Sequence, residues 1–263
     1  MRALMRLVRP AATRFARQVL AYDADVGRSG LSAATVAYLR HNVGSVKYAG
    51  AEHLRGDGPL LIASNHPGMS DALALFAILQ RDDLRVVARD RDFLRAMPNM
   101  VSHLLIVSDV ESERIRATRA ITTTLKAGHP VLTFPAGKIE PDPAFMSGAV
   151  ESLANWSSSL DLFARLVPQL RVVPVMVCGV ISQQALRNPV THIRRAQKDR
   201  NWLAATLQIV VRAYQNVDVR VIFGKPVQLA QLPLGGTLTH AITQCAHQLI
   251  ERPPTEWQTL SLL

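Results

Sequence analysis

Two residues with acid-base side chains, His66 and Asp71, stand five positions apart in the stretch Asn-His-Pro-Gly-Met-Ser-Asp that begins at Asn65. An apolar run, residues 59–63, precedes this stretch, and a second apolar run, residues 72–79, follows it. The pair therefore falls at a predicted strand-to-helix turn. Ligands bind at the carboxyl ends of strands in open α/β folds, and histidine takes up a proton near neutral pH. The sequence predicts an active site at this turn, with His66 as a general base.

Three further turns follow predicted strands and carry residues suited to substrate contact. Arg89 ends an apolar strand, and the loop over residues 134–140 contains a proline and a glycine that restrict its shape. Pro174 lies in an apolar run and predicts a strand start or a sheet edge, because proline cannot donate a ladder hydrogen bond. Taken one at a time, each feature also fits a purely structural role. Together we expect them to surround the His66 turn, with substrate contacts from Asn65, Arg89, Phe134, Pro135, Gly137, Lys138, Glu140 and Pro174.

The rest of the chain alternates strand and helix patterns, which predicts an α/β fold with a mostly parallel central sheet flanked by helices. An N-terminal helical segment precedes this fold. The predicted strands cover residues 44–50, 59–64, 84–88, 104–107, 130–134, 171–177, 206–212 and 218–223. The predicted helices cover residues 31–41, 71–80, 111–127, 148–166 and 237–251. We therefore divide the chain into a basic amphipathic helical segment (1–43), an α/β domain (44–252) and a tail (253–263).

Composition narrows the classes of partner. Thirty Lys and Arg against twenty Asp and Glu give a formal net charge of +10 and a pI near 10.4, which favours an anionic partner. Aromatic residues make up only 5% and do not interleave with basic ones, so nucleic acid is not predicted. Cys178 and Cys245 belong to no C-x-x-C pair, so we expect neither a disulfide framework nor a metal site. No cofactor is predicted, and a reducing, cytoplasmic setting is expected.

The first 21 residues combine basic and apolar side chains, with no acidic residue before Asp23. Such a segment can lie on an anionic bilayer with its guanidinium groups at the phosphates, and Pro10 is expected to interrupt its helix. An ordinary amphipathic helix packed on the core explains the pattern equally well. No window reaches ~18 consecutive apolar residues, so we expect a peripheral or monotopic protein on the cytoplasmic side of a membrane. Residues 186–202 form a second basic stretch, either solvated surface or a contact for lipid phosphates or an acidic carrier.

The order and spacing of these motifs resemble those of the glycerolipid (lysophospholipid) acyltransferase superfamily. Residues 65–71 form an N-H-x-x-x-x-D motif like its first signature. Ala88-Arg89 stands where such proteins often have Ala-Lys, and residues 106–109 lie in the second-motif region. Phe-Pro-Ala-Gly at 134–137 resembles the third motif, Val-Pro-Val at 173–175 resembles the fourth, and residues 221–226 resemble a late strand and turn. The resemblance covers about residues 44–228.

This resemblance implies transfer of a fatty acyl group from a thioester, acyl-CoA or acyl carrier protein, to a lysophospholipid or related lipid acceptor. His66 would then be the general base, a role that typically contributes ~10²- to 10⁴-fold to a rate. Asp71 would orient the imidazole by bonding its other nitrogen. No covalent enzyme intermediate is required, because the thioester is already activated. Backbone amides at a helix N-terminus or in the 134–138 loop are expected to stabilise the oxyanion.

The third motif departs from the family pattern, Phe-Pro-Glu-Gly-Thr-Arg-Ser. Ala136, Lys138, Ile139 and Glu140 replace its Glu, Thr, Arg and Ser. The arginine thought to bind the acceptor phosphate is therefore absent, and Val110 likewise stands where the second motif often has a late arginine. Lys138 or Arg89 can supply the charge, although a lysine lacks the bidentate geometry of a guanidinium. The Phe-Pro-Ala-Gly variant also resembles the branch that contains aminolipid and haemolysin-like acyltransferases, which points to an unusual acceptor.

Other classes of function remain as alternatives. The altered third motif is compatible with a catalytically weak or inactive relative that binds acyl chains or lipid surfaces, whereas the intact first motif argues against it. A serine hydrolase lacks support, because no G-x-S-x-G elbow occurs in the chain. A nucleic-acid-binding protein ranks last.

Removal of residues 1–21 should reduce binding to anionic vesicles, because it deletes five arginines together with the apolar side chains expected to enter the bilayer. Liposome flotation of the full-length and truncated chains measures this difference. Equal flotation of the two would rule out this segment as the membrane contact.

Overall fold

The computed structural model describes residues 2–108 and 110–262, and the side chains of residues 2–8 and of Lys198 lie outside that description. Helices and strands alternate along most of the described chain. The helices are α1 Arg2–Ser29, α2 Leu31–Asn42, α3 Ser70–Leu79, α4 Asp92–Arg95, α5 Pro98–Val101, α6 Glu111–Lys126, α7 Ala149–Ser152, α8 Ser159–Leu166, α9 Gln183–Leu186, α10 Gln197–Val210 and α11 Leu238–Glu251. The strands are β1 Ser45–Ala49, β2 Leu60–Ser64, β3 Arg85–Arg89, β4 Leu104–Val107, β5 Val131–Thr133, β6 Arg171–Cys178, β7 Asp218–Phe223 and β8 Gln258–Thr259.

The strands form one sheet in the order β4-β3-β5-β2-β6-β7-β1-β8. The β6–β7 and β1–β8 pairs are antiparallel, and the other neighbouring pairs are parallel. The predicted α/β class with a mostly parallel sheet is therefore confirmed. Strand β2 lies between β5 and β6, so the turn that follows it opens at the middle of the sheet, where ligands bind in folds of this kind.

The sheet is covered on both faces, which is why its central strands are almost wholly apolar. Strand β2 shows the alternation: Ile62 packs into a cluster with Leu39 and Leu75 from α2 and α3. Its neighbour Leu61 packs into a second cluster with Ile121 from α6, joined by side chains of α8 and α11. The rigid elements on both sides of β2 fix the position of the residues that follow it.

The N-terminal helix runs without a break through Pro10, so the predicted interruption is wrong. An internal proline removes one backbone hydrogen bond, and the C-terminal half of α1 is held by tertiary contacts. Tyr22 lies in the core, and its hydroxyl lies 2.8 Å from Thr35 Oγ1 on α2. The Asp23 carboxylate accepts hydrogen bonds from the Met100 backbone N–H at 2.8 Å and from Asn99 Nδ2 at 3.0 Å. These contacts attach α1 to both α2 and α5.

Two predicted elements differ from the structure. Residues 206–212 were expected as a strand, but most of them belong to α10, because Gln208 turns inward from the helix and bonds residues 180 and 182. Short apolar runs do not distinguish strand from helix by pattern alone. The helix expected over 148–166 is divided, since residues 156–158 leave the helix and Ser157 N–H donates to Pro135 O at 3.1 Å.

Pro174 lies inside the central strand β6, so the predicted strand start or edge is also wrong. Its carbonyl accepts a hydrogen bond from Gly224 N–H at 2.8 Å, where β7 has already ended. The proline nitrogen faces the same irregular segment, so no ladder donor is lost there.

The C-terminal residues beyond α11 add β8 to the sheet edge, and Leu260 is buried. No helix in the described part of the chain is long and apolar enough to cross a membrane. Asp109, which belongs to the second-motif region, lies outside the described residues.

Asp23→Ala should lower the free energy of unfolding by about 1–3 kcal/mol, because it leaves the buried Met100 N–H and the Asn99 amide without their acceptor. Asp25→Ala on the same helix is the matched control, since Asp25 pairs only with the exposed Arg28 among the ion pairs described. Its effect should stay within about 0.5 kcal/mol. Urea denaturation followed by circular dichroism measures both, and equal effects would contradict the assigned role of Asp23.

Candidate active site

The turn after β2 is joined to β6 by Asn65, which was predicted to contact substrate. Its side chain is buried, and its amide forms a pair of hydrogen bonds with the Val177 backbone. Asn65 Nδ2 donates to Val177 O at 2.9 Å, and Val177 N–H donates to Asn65 Oδ1 at 2.7 Å. Both polar groups of the amide are therefore used to hold the turn against its neighbouring strand, and its contact with substrate stays a prediction.

His66 and Asp71 lie in direct contact, as the motif predicts. His66 Nδ1 is 2.8 Å from Asp71 Oδ2, and the Asp71 side chain is completely buried, whereas 30% of the His66 side chain is exposed. Because an ionised carboxylate only accepts hydrogen bonds, Nδ1 carries the proton in the neutral imidazole. Nε2 is then the basic nitrogen, and the exposed part of the ring gives substrate access to it.

The Asp71 carboxylate is itself held by backbone donors. Gly68 N–H donates to Oδ2 at 2.9 Å and Ala72 N–H donates to Oδ1 at 2.5 Å. Gly68 lies against the segment that follows β6, because a Cβ there would come within 2.9 Å of Val180 Cγ1. The Pro-Gly of the motif therefore allows the chain to turn closely enough for both donors to reach the carboxylate.

Burial and charge act in opposite directions on His66. Burial lowers the pKa of His66, but the charge of Asp71, its hydrogen bond and the charge of Glu140 outweigh that effect and raise the pKa above the ordinary value of 6.5. A raised pKa makes the imidazole a stronger base, and both carboxylates stabilise the imidazolium that proton transfer would form.

The loop after β5 also contacts His66. The Phe134 ring stacks on the imidazole, with ring centroids 4.4 Å apart and an interplanar angle of 29°. Glu140 is buried, and its backbone N–H donates to His66 O at 2.9 Å. Phe134 and Glu140, two loop residues predicted from the third motif, therefore contact His66.

The other residues that were predicted to contact substrate are distributed over the loop after β5 and the sheet. Gly137 and Lys138 lie on the exposed part of the loop, where Lys138 Nζ donates to Asn155 Oδ1 at 3.1 Å. Pro135 is buried, and Gly137 has a positive φ of 61°, which a glycine adopts without strain. Arg89 ends β3 on the same carboxyl edge of the sheet as His66 and is exposed.

Pro174 lies within β6 with its Cα paired to that of Ala63. Pro174 is therefore part of the sheet, whereas the other predicted residues of this group lie in the loop after β5 or at the end of β3. Whether each of these residues contacts substrate stays a prediction.

Three residues at the site were not predicted from the sequence. Trp156 Nε1 donates to Glu140 Oε1 at 2.9 Å, and Ser152 Oγ donates to the same oxygen at 3.1 Å. Asp142 accepts hydrogen bonds from the backbone of Gly179, at 2.9 Å, and of Val180, at 2.7 Å. A tryptophan in the polar run Asn-Trp-Ser-Ser-Ser was the available signal, because a lone large aromatic side chain there needs a buried contact.

Comparison with known proteins identifies the family of this chain. The model of the family described as Acyltransferase matches residues 45–178, which is half of the chain and includes the His66 turn and the loop after β5. The chain therefore belongs to the acyltransferase family, and the resemblance identified from its motifs is confirmed.

The fold is also similar to a solved structure, that of the 1-acyl-sn-glycerophosphate (LPA) acyltransferase PlsC from Thermotoga maritima. The TM-score is 0.51 and the sequence identity is 16%, over 90% of this chain and 81% of that chain. At this identity the likeness shows a shared fold. No curated protein matches the chain significantly.

Asp71→Asn should lower acyl-transfer activity ~10²- to 10⁴-fold. The amide carries no negative charge and accepts hydrogen bonds only through its oxygen, so at least one of the groups that donate to Asp71 loses its acceptor. The acid limb of kcat/KM should follow the pKa of His66, since only the neutral imidazole is a base. That limb should lie above pH 6.5 in the wild type and move to lower pH in the variant, where burial still lowers the pKa. A pH–rate profile measures both effects, and an unmoved limb would contradict the pairing.

Proposed function

We propose that this acyltransferase moves a fatty acyl group from acyl-CoA or acyl carrier protein to the hydroxyl of a lysophospholipid or related lipid acceptor. The observation that carries the proposal is the 2.8 Å contact between His66 Nδ1 and the buried Asp71 carboxylate, at the centre of the sheet of a member of this family. The similar fold of an LPA acyltransferase supports the choice of acceptor class.

The proposed reaction is a single displacement. The acceptor hydroxyl oxygen attacks the thioester carbonyl carbon while His66 Nε2 takes the hydroxyl proton, and the oxyanion collapses as the carbon–sulfur bond breaks. The thiolate leaves and takes up the proton, so the products are the ester and the free thiol of the carrier. Asp71 holds the tautomer and stabilises the imidazolium, and no cofactor takes part.

Oxyanion stabilisation is assigned to backbone amides near the base. The amides of Gly68 and Ala72, at the start of α3, already donate to Asp71. In the loop over residues 134–138, Pro135 has no N–H and the Gly137 N–H donates to Phe134 O at 2.9 Å. We therefore assign the oxyanion to the amides of Ala136 and Lys138 in this loop, whose Phe134 ring stacks on the imidazole.

The acceptor is assigned to the carboxyl edge of the sheet, where cationic side chains are exposed. Arg89 ends β3, and Lys138 extends from the loop after β5. A phosphate or other anionic headgroup suits these charges. Because Ile139 stands where the family motif has an arginine, an acceptor other than lysophosphatidate is consistent with this site.

An anionic membrane surface is the proposed partner that supplies the acceptor. Arg9, Arg14 and Arg17 are exposed along α1, and Leu20 beside them is 53% exposed. Arg14 also donates to Val210 O at 2.7 Å, which joins α1 to α10. This arrangement suits binding on the cytoplasmic face, with basic side chains at lipid phosphates.

The second basic stretch, residues 186–202, also suits contact with an anionic membrane surface. Ile193 and Trp202 are 76% and 69% exposed, and the exposed Arg194 and Arg195 follow Ile193 directly. Apolar and aromatic side chains beside arginines are the composition that interfacial segments use.

His66→Ala should abolish ester formation and thiol release, because it removes the only group placed to take the acceptor proton in this proposal. Purified protein is incubated with acyl-CoA or acyl carrier protein and a panel of lysolipids, and thiol release and lipid product are followed. His247→Ala, on the exposed side of α11 and paired with Glu251, should retain wild-type activity. If wild type and His66→Ala were equally active, the catalytic role of His66 would be lost. If both were inert across the panel, lipid binding without turnover would become the better description.

A further inference from the structure

One residue bonds both polar backbone groups of the catalytic base. Glu140 N–H donates to His66 O at 2.9 Å, and His66 N–H donates to Glu140 Oε2 at 3.0 Å. Glu140 is only 3% exposed, so these bonds are shielded from water. His66 is the residue between β2 and the motif turn, and its backbone is therefore fixed from the loop after β5.

The second carboxylate oxygen of Glu140 is also occupied. Trp156 Nε1 donates to Oε1 at 2.9 Å, and Ser152 Oγ, whose single proton is shared with Ala149 O at 2.7 Å, lies 3.1 Å from the same oxygen. Trp156 is itself 5% exposed, and its indole N–H can only donate. With donors on both oxygens, the carboxylate is held in one orientation between the helical turn that contains Ser152 and the backbone of the base.

We propose that Glu140 is a positioning residue for His66, with its carboxylate held by Trp156 and Ser152 so that it fixes the backbone of the base against Asp71. This inference rests on the proposed function of His66 as the base. It replaces the expectation that Glu140 contacts substrate, because both carboxylate oxygens are bonded to groups of the protein.

The charge of Glu140 adds to this mechanical role. Within the described residues, the carboxylates of Asp71 on α3 and Glu140 on the loop are the charged groups that raise the pKa of His66. Burial raises the pKa of Glu140 above its ordinary value, and the hydrogen bonds from Trp156, His66 and Ser152 oppose that rise without cancelling it. In its ionised form Glu140 would stabilise the imidazolium formed during acyl transfer from a second side.

Glu140→Gln tests the proposal, because it keeps the size of the side chain but removes the charge and one acceptor oxygen. An amide nitrogen cannot accept from either His66 N–H or Trp156 Nε1–H, so at least one bond is lost. Glu151→Gln is the matched control: it makes the same change at a glutamate one residue before Ser152, but the Glu151 side chain is exposed.

The measurements are steady-state kinetics across pH and an NMR titration of the His66 imidazole, assigned by its loss in His66→Ala. In Glu140→Gln we expect kcat to fall roughly 10- to 100-fold, as for a misplaced catalytic group. KM for the acyl donor should stay within about 2-fold of the wild-type value, whereas the loss of a substrate contact would raise KM. The His66 titration should move to lower pH in Glu140→Gln and stay at its wild-type position in Glu151→Gln.

Two results would overturn the proposal: kcat within 2-fold of wild type with an unmoved titration, or a raised KM with kcat unchanged, which would indicate substrate contact. If Glu140→Gln does not fold, Trp156→Phe serves instead. It keeps the charge but removes the indole donor from Oε1, and it should lower kcat without raising KM; an unchanged kcat would count against positioning. The titration requires no turnover, so a wild type inert toward every acceptor would defeat the proposed function while a shifted His66 would still support the placement.

Discussion

The contact between His66 and the buried Asp71 carboxylate is the interaction on which the site depends. Asp71 is completely removed from water, and a buried carboxylate is costly unless donors surround it. The His66 ring and the amides of Gly68 and Ala72 supply those donors. The spacing of the motif is what places them, because the chain leaves β2, turns at Pro67-Gly68 and enters α3 within one short stretch. A change that removes one of these donors would leave part of the buried carboxylate unsatisfied and would destabilise the turn.

The sheet determines what gathers around this pair. Strand β2 has β5 on one side and β6 on the other, so the loop after β5 and the backbone of Val177 both reach the turn. Each neighbour contributes a different constraint: β6 holds Asn65, and the loop after β5 brings Phe134 and Glu140 onto His66. His66 is thus held by its ring, by its backbone and through the residue before it, which is the rigidity that the proposed general base would require.

The altered third motif acquires a physical meaning in this setting. The family glutamate is replaced by Ala136, yet a glutamate four residues later, Glu140, turns inward to the base. Ile139 stands where the family motif has an arginine and is 61% exposed, so the loop presents an apolar side chain beside Lys138. The chain therefore keeps the His66–Asp71 pair at the centre of the sheet, whereas the exposed part of this loop departs from the family pattern.

The sequence by itself determined the α/β class, most strands and the His66–Asp71 pair, because hydrophobic periodicity and a short motif are local properties. It predicted a strand at residues 206–212, most of which are helical, and it missed the helix break near Trp156; Gln208 and the Trp156 indole both bond residues from other segments. It also assigned Pro174 to a strand start or an edge, whereas the irregular segment after β7 accommodates it in the middle of the sheet. The inward orientation of Glu140 was decided only by the tertiary structure, since burial and hydrogen-bond donors from two separate segments, the His66 turn and residues 152–156, fix which way a loop carboxylate points.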